Sequence, residues 1–87
     1  MEVLFAPSFI RQLNSLPKKL QEEAIEKIEM SDDPKNHKTL KVHKLKDRLT
    51  DRYSFSVNFS TRIIFLFSKD KPRKAFFLTI GDHDIYE

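Results

Sequence analysis

Apolar residues keep one period in the first third of this chain and another in its second half. Met1–Ala6 (M-E-V-L-F-A) is apolar with little alternation, the pattern of a short strand covered on both faces. Pro7 ends that run and suits the first turn of a helix, where a missing N–H costs nothing. Ile10, Leu13 and Leu16 then recur at helical spacing. Asn14-Ser15 weakens the run, and Pro17 opens a second helix with a stripe of Leu20, Ala24 and Ile28, widened by Ile25. Glu22, Glu23, Lys27 and Glu29 occupy much of the remaining surface, with Glu23 and Lys27 a favourable i,i+4 pair. Ser31-Asp32-Asp33-Pro34 stops this helix.

From Tyr53 the period is two. Tyr53, Phe55, Val57 and Phe59 alternate with Ser54, Ser56, Asn58 and Ser60, which predicts a strand with one apolar and one polar face. A turn at Ser60-Thr61 leads into Arg62–Ser68, apolar on both faces and therefore a central strand. Asp70-Lys71-Pro72-Arg73 makes the next turn, and Ala75–Ile80 is a third strand of the same kind. Gly81 ends or bends it, and Asp82–Tyr86 is long enough for a short edge segment. Between the halves, Lys35–Asp51 sets Leu40, Val42, Leu45 and Leu49 among basic residues, as either a short strand or an ordered loop. The order β-α-α-β-β-β predicts a single α+β domain over residues 1–87. It has an N-terminal strand, a helical hairpin and an antiparallel meander, forming a mixed sheet with the helices packed on one face. The long crossover puts the first strand at the sheet's edge or beside the last long strand.

With 87 residues, 39% of them hydrophobic and eight of them Phe, the chain can fill one core. It has no cysteine, which excludes disulfides and thiolate metal sites. No apolar run approaches the roughly 18 residues that span a bilayer, so a soluble, cytoplasmic protein without membrane contact is expected. Zinc-protease, EF-hand, phosphate-loop and nucleophile-elbow spacings are missing as well. Neither a metal nor a cofactor is expected.

Charge narrows the partner. The formal net charge is +3, and Lys35–Arg52 holds five Lys and two Arg against Asp47 and Asp51. Such a block is either a solvated face or a surface for a polyanion, whose neutralised phosphates release counterions. RNA supplies its own nucleophile, the 2′-OH, so its cleavage requires only a base, an acid and cations for the phosphoryl charge. Those residue types all lie after position 35. Arg62 opens an otherwise apolar strand, where it either covers the sheet's rim, pairs with a carboxylate, or presents its fork to a phosphate. His83 is an incidental terminal histidine or a proton carrier working near neutrality. Tyr86 is a plug on the core, a proton donor or a stacking ring. In Leu40–Lys46, strand geometry puts Lys41 and His43 on one face and Lys44 and Lys46 on the other, with Arg48 and Arg52 extending the basic patch.

The stretches L-K-V-H-K-L-K-D-R-L-T-D-R-Y-S-F-S-V, T-R-I-I-F and I-G-D-H-D-I-Y resemble the RelE/ParE superfamily of type II toxins, nearest the branch of RelE, YoeB and YafQ. The resemblance implies a small basic domain acting as a metal-independent endoribonuclease. It would cut mRNA in the ribosomal A site and leave a 2′,3′-cyclic phosphate. The implied partners are mRNA, the ribosome and a cognate antitoxin, with operator DNA bound only through the antitoxin complex. By the same resemblance Arg62 contacts the scissile phosphate, His83 handles a proton, and Tyr86 stacks or transfers a proton. His43 falls in the region that supplies the base, and Lys41, Lys44, Lys46, Arg48 and Arg52 form an RNA-binding rim. The glutamate base of the YoeB branch has no counterpart, and Thr79 or a neighbour stands where RelE has a second arginine. The same scaffold also serves ParE-like inhibitors of DNA gyrase, and a non-catalytic RNA- or protein-binding domain is a third reading.

Overall fold

The computed structural model describes residues 2–45, 52–69 and 72–82. Its elements are β1 (Glu2–Phe5), α1 (Pro7–Asn14), α2 (Lys18–Ser31), a 3-10 turn (Pro34–Asn36), α3 (His37–Leu40), β2 (His43–Lys44), β3 (Tyr53–Ser56), β4 (Arg62–Phe67) and β5 (Lys74–Gly81). The sheet order is β1-β5-β4-β3-β2, with β1 parallel to β5 and every other pair antiparallel. The expected mixed sheet is therefore present, and β1 is both an edge strand and the neighbour of the last long strand.

Chain direction changes sharply at Ala6. Its N–H donates to the Phe77 carbonyl at 2.9 Å, and its own carbonyl accepts from Ile10 at 3.2 Å. One residue thus closes the strand and opens α1, with Pro7 in the first turn. That entry angle buries Phe9 completely and leaves Ile10 exposed, so the inward stripe of α1 starts one residue earlier than its spacing predicts. On α2, Ala24 is fully buried with Leu20 and Ile28 packed around the core. Ile25 is exposed and does not widen the stripe, because successive helical residues point about 100° apart. Glu23 accepts from Asn58 Nδ2 at 3.3 Å instead of pairing with Lys27. The end of α2 is closed by side chains, with His37 Nε2 on the Ser31 carbonyl at 3.1 Å and Asn36 Nδ2 on that of Met30 at 2.9 Å.

The core between helices and sheet is aromatic. Phe77 lies at its centre, with the rings of Phe5, Phe9, Phe55 and Phe65 at centroid distances of 5.5–5.9 Å. Tyr53 and Phe67 extend this cluster toward the far strands, and the Arg73 guanidinium covers Phe67 at 3.9 Å. Edge-to-face pairs of this kind add about 0.5–1.5 kcal/mol each beyond the area they bury.

An irregularity in β5 shifts its side-chain parity. Ile64 pairs with Thr79 but Phe65 pairs with Phe77, which leaves Leu78 as an extra residue. Helix α1 satisfies the displaced groups. Gln12 Oε1 accepts from Thr79 Oγ1 at 2.8 Å and from Ile80 N at 3.0 Å, while Ser8 Oγ donates to the Leu78 carbonyl at 3.1 Å. Ala75 and Phe77 enter the core and then Ile80 does, not Thr79.

Two expectations for β3 need correction. The strand stops at Ser56 rather than continuing to Phe59, and Phe59 is almost wholly exposed. Asn58 is the reason: its Oδ1 accepts from Ser60 N at 3.0 Å and Thr61 N at 2.9 Å, curling the chain before the pattern ends. The turn thus covers Val57–Thr61, closed by Val57 N to the Thr61 carbonyl at 2.9 Å. Ser54, expected on a polar outer face, is fully buried.

Candidate functional site

Cross-strand partners share a face of a sheet, so the register sorts the side chains. Tyr53, Phe65 and Phe77 form one row against the helices, as do Phe55, Ile63 and Ile80. The intervening rows point the other way. One is His43–Ser54–Ile64 and the next is Ser56–Arg62–Gly81. His43 and Arg62 therefore lie on the same face, the one away from the described helices, two strands and two residues apart. Strand spacing puts their Cα atoms about 12 Å from one another.

His43 is held at both ring nitrogens. Nδ1 lies 2.9 Å from the Lys41 carbonyl, which can only accept, so Nδ1 carries the hydrogen. Nε2 lies 3.3 Å from Ser54 Oγ. In neutral imidazole Nε2 accepts from that hydroxyl; in imidazolium it donates to the same oxygen. Either way the single site on Nε2 is directed at Ser54, so another hydroxyl reaches that nitrogen only by displacing this contact.

Lys41 supplies its carbonyl by an uncommon conformation. Its φ of 59° and ψ of 44° are left-handed, a place usually taken by glycine. The motif closes α3 with Lys41 N on the Lys38 carbonyl at 3.1 Å and Val42 N on that of His37 at 2.9 Å. Lys41 is thus a helix-ending turn residue and, contrary to simple alternation, does not share a strand face with His43. Lys44 pairs with Tyr53 and so sits on the side away from His43, exposed at the sheet's outer edge. Arg52 continues the β2–β3 ladder through its carbonyl, which accepts from Leu45 N at 2.8 Å, and alternation puts it on the face of Ser54.

Arg62 bends back over its own turn. Nη1 donates to the carbonyls of Asn58 at 2.7 Å, Phe59 at 3.3 Å and Thr61 at 3.3 Å. No carboxylate pairs with it among the described residues, so carbonyl dipoles alone face its charge there. All three bonds leave from one nitrogen of the fork. The opposite end of the turn is tied to α2 by the Asn58–Glu23 contact.

His83, Tyr86, Lys46 and Arg48 lie outside the described residues. The structure thus brings His43 and Arg62 onto one face with Arg52, turns Lys44 away from them, and makes Lys41 a backbone element of the site. Ser54 and Asn58 escaped the sequence reading. Serine in an alternating strand reads as solvent-facing, although Asn58 followed by Ser60-Thr61 does carry the signal of an Asn-led turn.

No protein-family model matches the chain, and no curated protein matches it by sequence. Solved structures do. A chain of the toxin–antitoxin complex RelBE2 from Mycobacterium tuberculosis superposes with a TM-score of 0.71 at 17% identity, covering 94% of this chain and 96% of that one. For an archaeal RelE–RelB complex from Pyrococcus horikoshii the TM-score is 0.72 at 19% identity, over 93% and 92%. YafQ from E. coli gives 0.72 at 9% identity, over 98% and 96%. Over almost its whole length, the chain has the fold of the RelE/ParE toxins.

Proposed function

We propose that this protein is the toxin of a type II toxin–antitoxin pair and a metal-independent endoribonuclease that cleaves mRNA on the ribosome. The observation that carries the reading is that His43 and Arg62 share one face of the sheet, away from the described helices, in a basic domain. His43 Nε2 releases the Ser54 hydroxyl and takes the proton of the 2′-OH, whose oxygen forms a bond to the adjacent phosphorus. Arg62 stabilises the charge gathered on the phosphoryl oxygens. The bond from phosphorus to the 5′-oxygen breaks as His83 gives that oxygen a proton, leaving a 2′,3′-cyclic phosphate. Tyr86 stacks on the nucleotide, and Lys41, Lys46, Arg48 and Arg52 contact RNA phosphates, with Lys44 reaching RNA from the sheet's edge. An antitoxin segment, disordered alone, folds onto the toxin and neutralises it.

The test is codon-resolved mRNA cleavage on programmed ribosomes by the wild type, His43→Ala and Arg62→Ala. Loss of a proton-transfer group is expected to slow cleavage about 10²–10⁴-fold. Variants within twofold of the wild type would remove both residues from the mechanism. Intact mRNA together with inhibited gyrase supercoiling would move the protein to the ParE-like reading.

A further inference from the structure

The β3–β4 turn carries an aromatic ring that nothing in the fold uses. Phe59 is 95% exposed, while the next most exposed large hydrophobic residue among the described ones, Ile25, is at 47%. Its turn is firmly held. Asn58 Oδ1 takes the N–H groups of Ser60 and Thr61, Asn58 Nδ2 reaches Glu23 on α2, and Arg62 Nη1 binds the carbonyls of Asn58, Phe59 and Thr61. Ring and guanidinium are thus borne by one rigid turn, with the Phe59 carbonyl 3.3 Å from Arg62 Nη1.

We propose that Phe59 is a stacking platform for a base of single-stranded RNA whose neighbouring phosphate is held by Arg62. Charge and composition select this occupant. A hydrophobic peptide segment needs several contiguous apolar side chains, but Phe59 is flanked on its turn by Asn58, Ser60, Thr61 and the Arg62 cation. A nucleotide offers one flat π face and one anion, which match one ring and one guanidinium. A turn ordered beforehand loses little conformational freedom on binding, so the stacking energy is largely retained. The proposal rests on the reading of the sheet face away from the described helices as an RNA site, and adds a contact outside the reacting groups.

The chain contains no tryptophan, so Phe59→Trp places the sole indole at the tip of the turn. The probe is a single-stranded RNA hexamer methylated at every 2′-oxygen, which cannot be cleaved. Quenching of the indole on titration is expected, with affinity falling more than tenfold when Arg62→Ala is added. Phe59→Leu, which keeps an apolar side chain without a π face, should bind the wild-type chain's RNA about 5- to 150-fold more weakly. Binding by Phe59→Leu within twofold of wild type, or an indole unmoved by RNA, would overturn the proposal. So would an indole that responds to protein concentration or to a co-expressed partner protein and not to RNA. Quenching in a protein that cleaves no mRNA supports stacking while removing the nuclease reading. Cleaving wild type with an unimpaired Phe59→Leu does the reverse.

Discussion

Arg62 lies directly opposite Gly81 in the β4–β5 ladder. Both belong to the row that begins with Ser56 on the face away from the described helices, and the glycine sets no side chain of its own beside the arginine stem. Gly81 is the last residue of β5 and has no positive φ, so its conformation does not demand glycine. Its use is room. Gly81→Val should therefore fold at least as well as the wild type, since strands favour β-branched residues by up to about 1 kcal/mol. The added isopropyl group occupies space next to Arg62, and mRNA cleavage should fall at least tenfold. Thermal unfolding and ribosome cleavage on the same sample check both halves. Full activity would show that this part of the face stays clear of RNA.

Arg62 has a structural duty besides the chemical one proposed for it, and two variants separate them. Arg62→Ala removes three hydrogen bonds to turn carbonyls; Asn58→Ala removes those to Ser60 and Thr61 and the tie to Glu23. Each should lower stability by about 1–2 kcal/mol, measured by urea unfolding. Cleavage should respond differently. A lost donor to a charged transition state costs about 10²–10³-fold, whereas loosening the turn should cost less than tenfold. Equal losses of activity would mean that Arg62 acts only by shaping the turn.

Gln12 gives a prediction about the fold itself. Its single carboxamide oxygen accepts both Thr79 Oγ1 and Ile80 N at the irregularity in β5. Gln12→Leu leaves the Ile80 N–H without that acceptor in a half-buried place, at a cost of about 1–3 kcal/mol. Gln12→Glu preserves the oxygen and should lose much less. Hydrogen exchange at the Ile80 amide should accelerate in the leucine variant before other β5 amides do.

The same residue shows why part of this structure could not be read from sequence. Element order, sheet composition and the Arg62 strand follow from hydrophobic period, because period is a local property. The parity shift in β5 is not local: it depends on Gln12, 67 residues from Thr79. Ser54 looked solvent-facing because alternation says only that a residue leaves the core face; it is in fact fully buried, with its Oγ 3.3 Å from His43 Nε2. Lys41 looked like a strand residue because Lys has no special turn propensity, and only the closure of α3 by Lys38 and His37 carbonyls forces it left-handed. For the candidate site, residue types were legible but facing was not. His43 and Arg62 share a face because the β2–β3 and β3–β4 registers give them the same parity as Ser54 and Ser56, and Lys44 is carried to the opposite side by the same register.

Lys41 combines a conformational cost with a proposed RNA contact, and one substitution measures each. A left-handed non-glycine residue is strained by about 1–2 kcal/mol, and glycine's extra freedom in the unfolded chain returns about half of that. Lys41→Gly should therefore stabilise the protein by about 0.5–1 kcal/mol, seen as a higher unfolding midpoint. The carbonyl that holds His43 Nδ1 at 2.9 Å is backbone and survives the change. Nitrogen chemical shifts of the His43 ring should then still report a protonated Nδ1. If the lysine side chain contacts a phosphate, the salt dependence of single-stranded RNA binding should lose about 0.7 from its logarithmic slope. An unchanged slope would confine Lys41 to its backbone role, and a shifted tautomer would show that the left-handed lysine, not the carbonyl alone, sets the base.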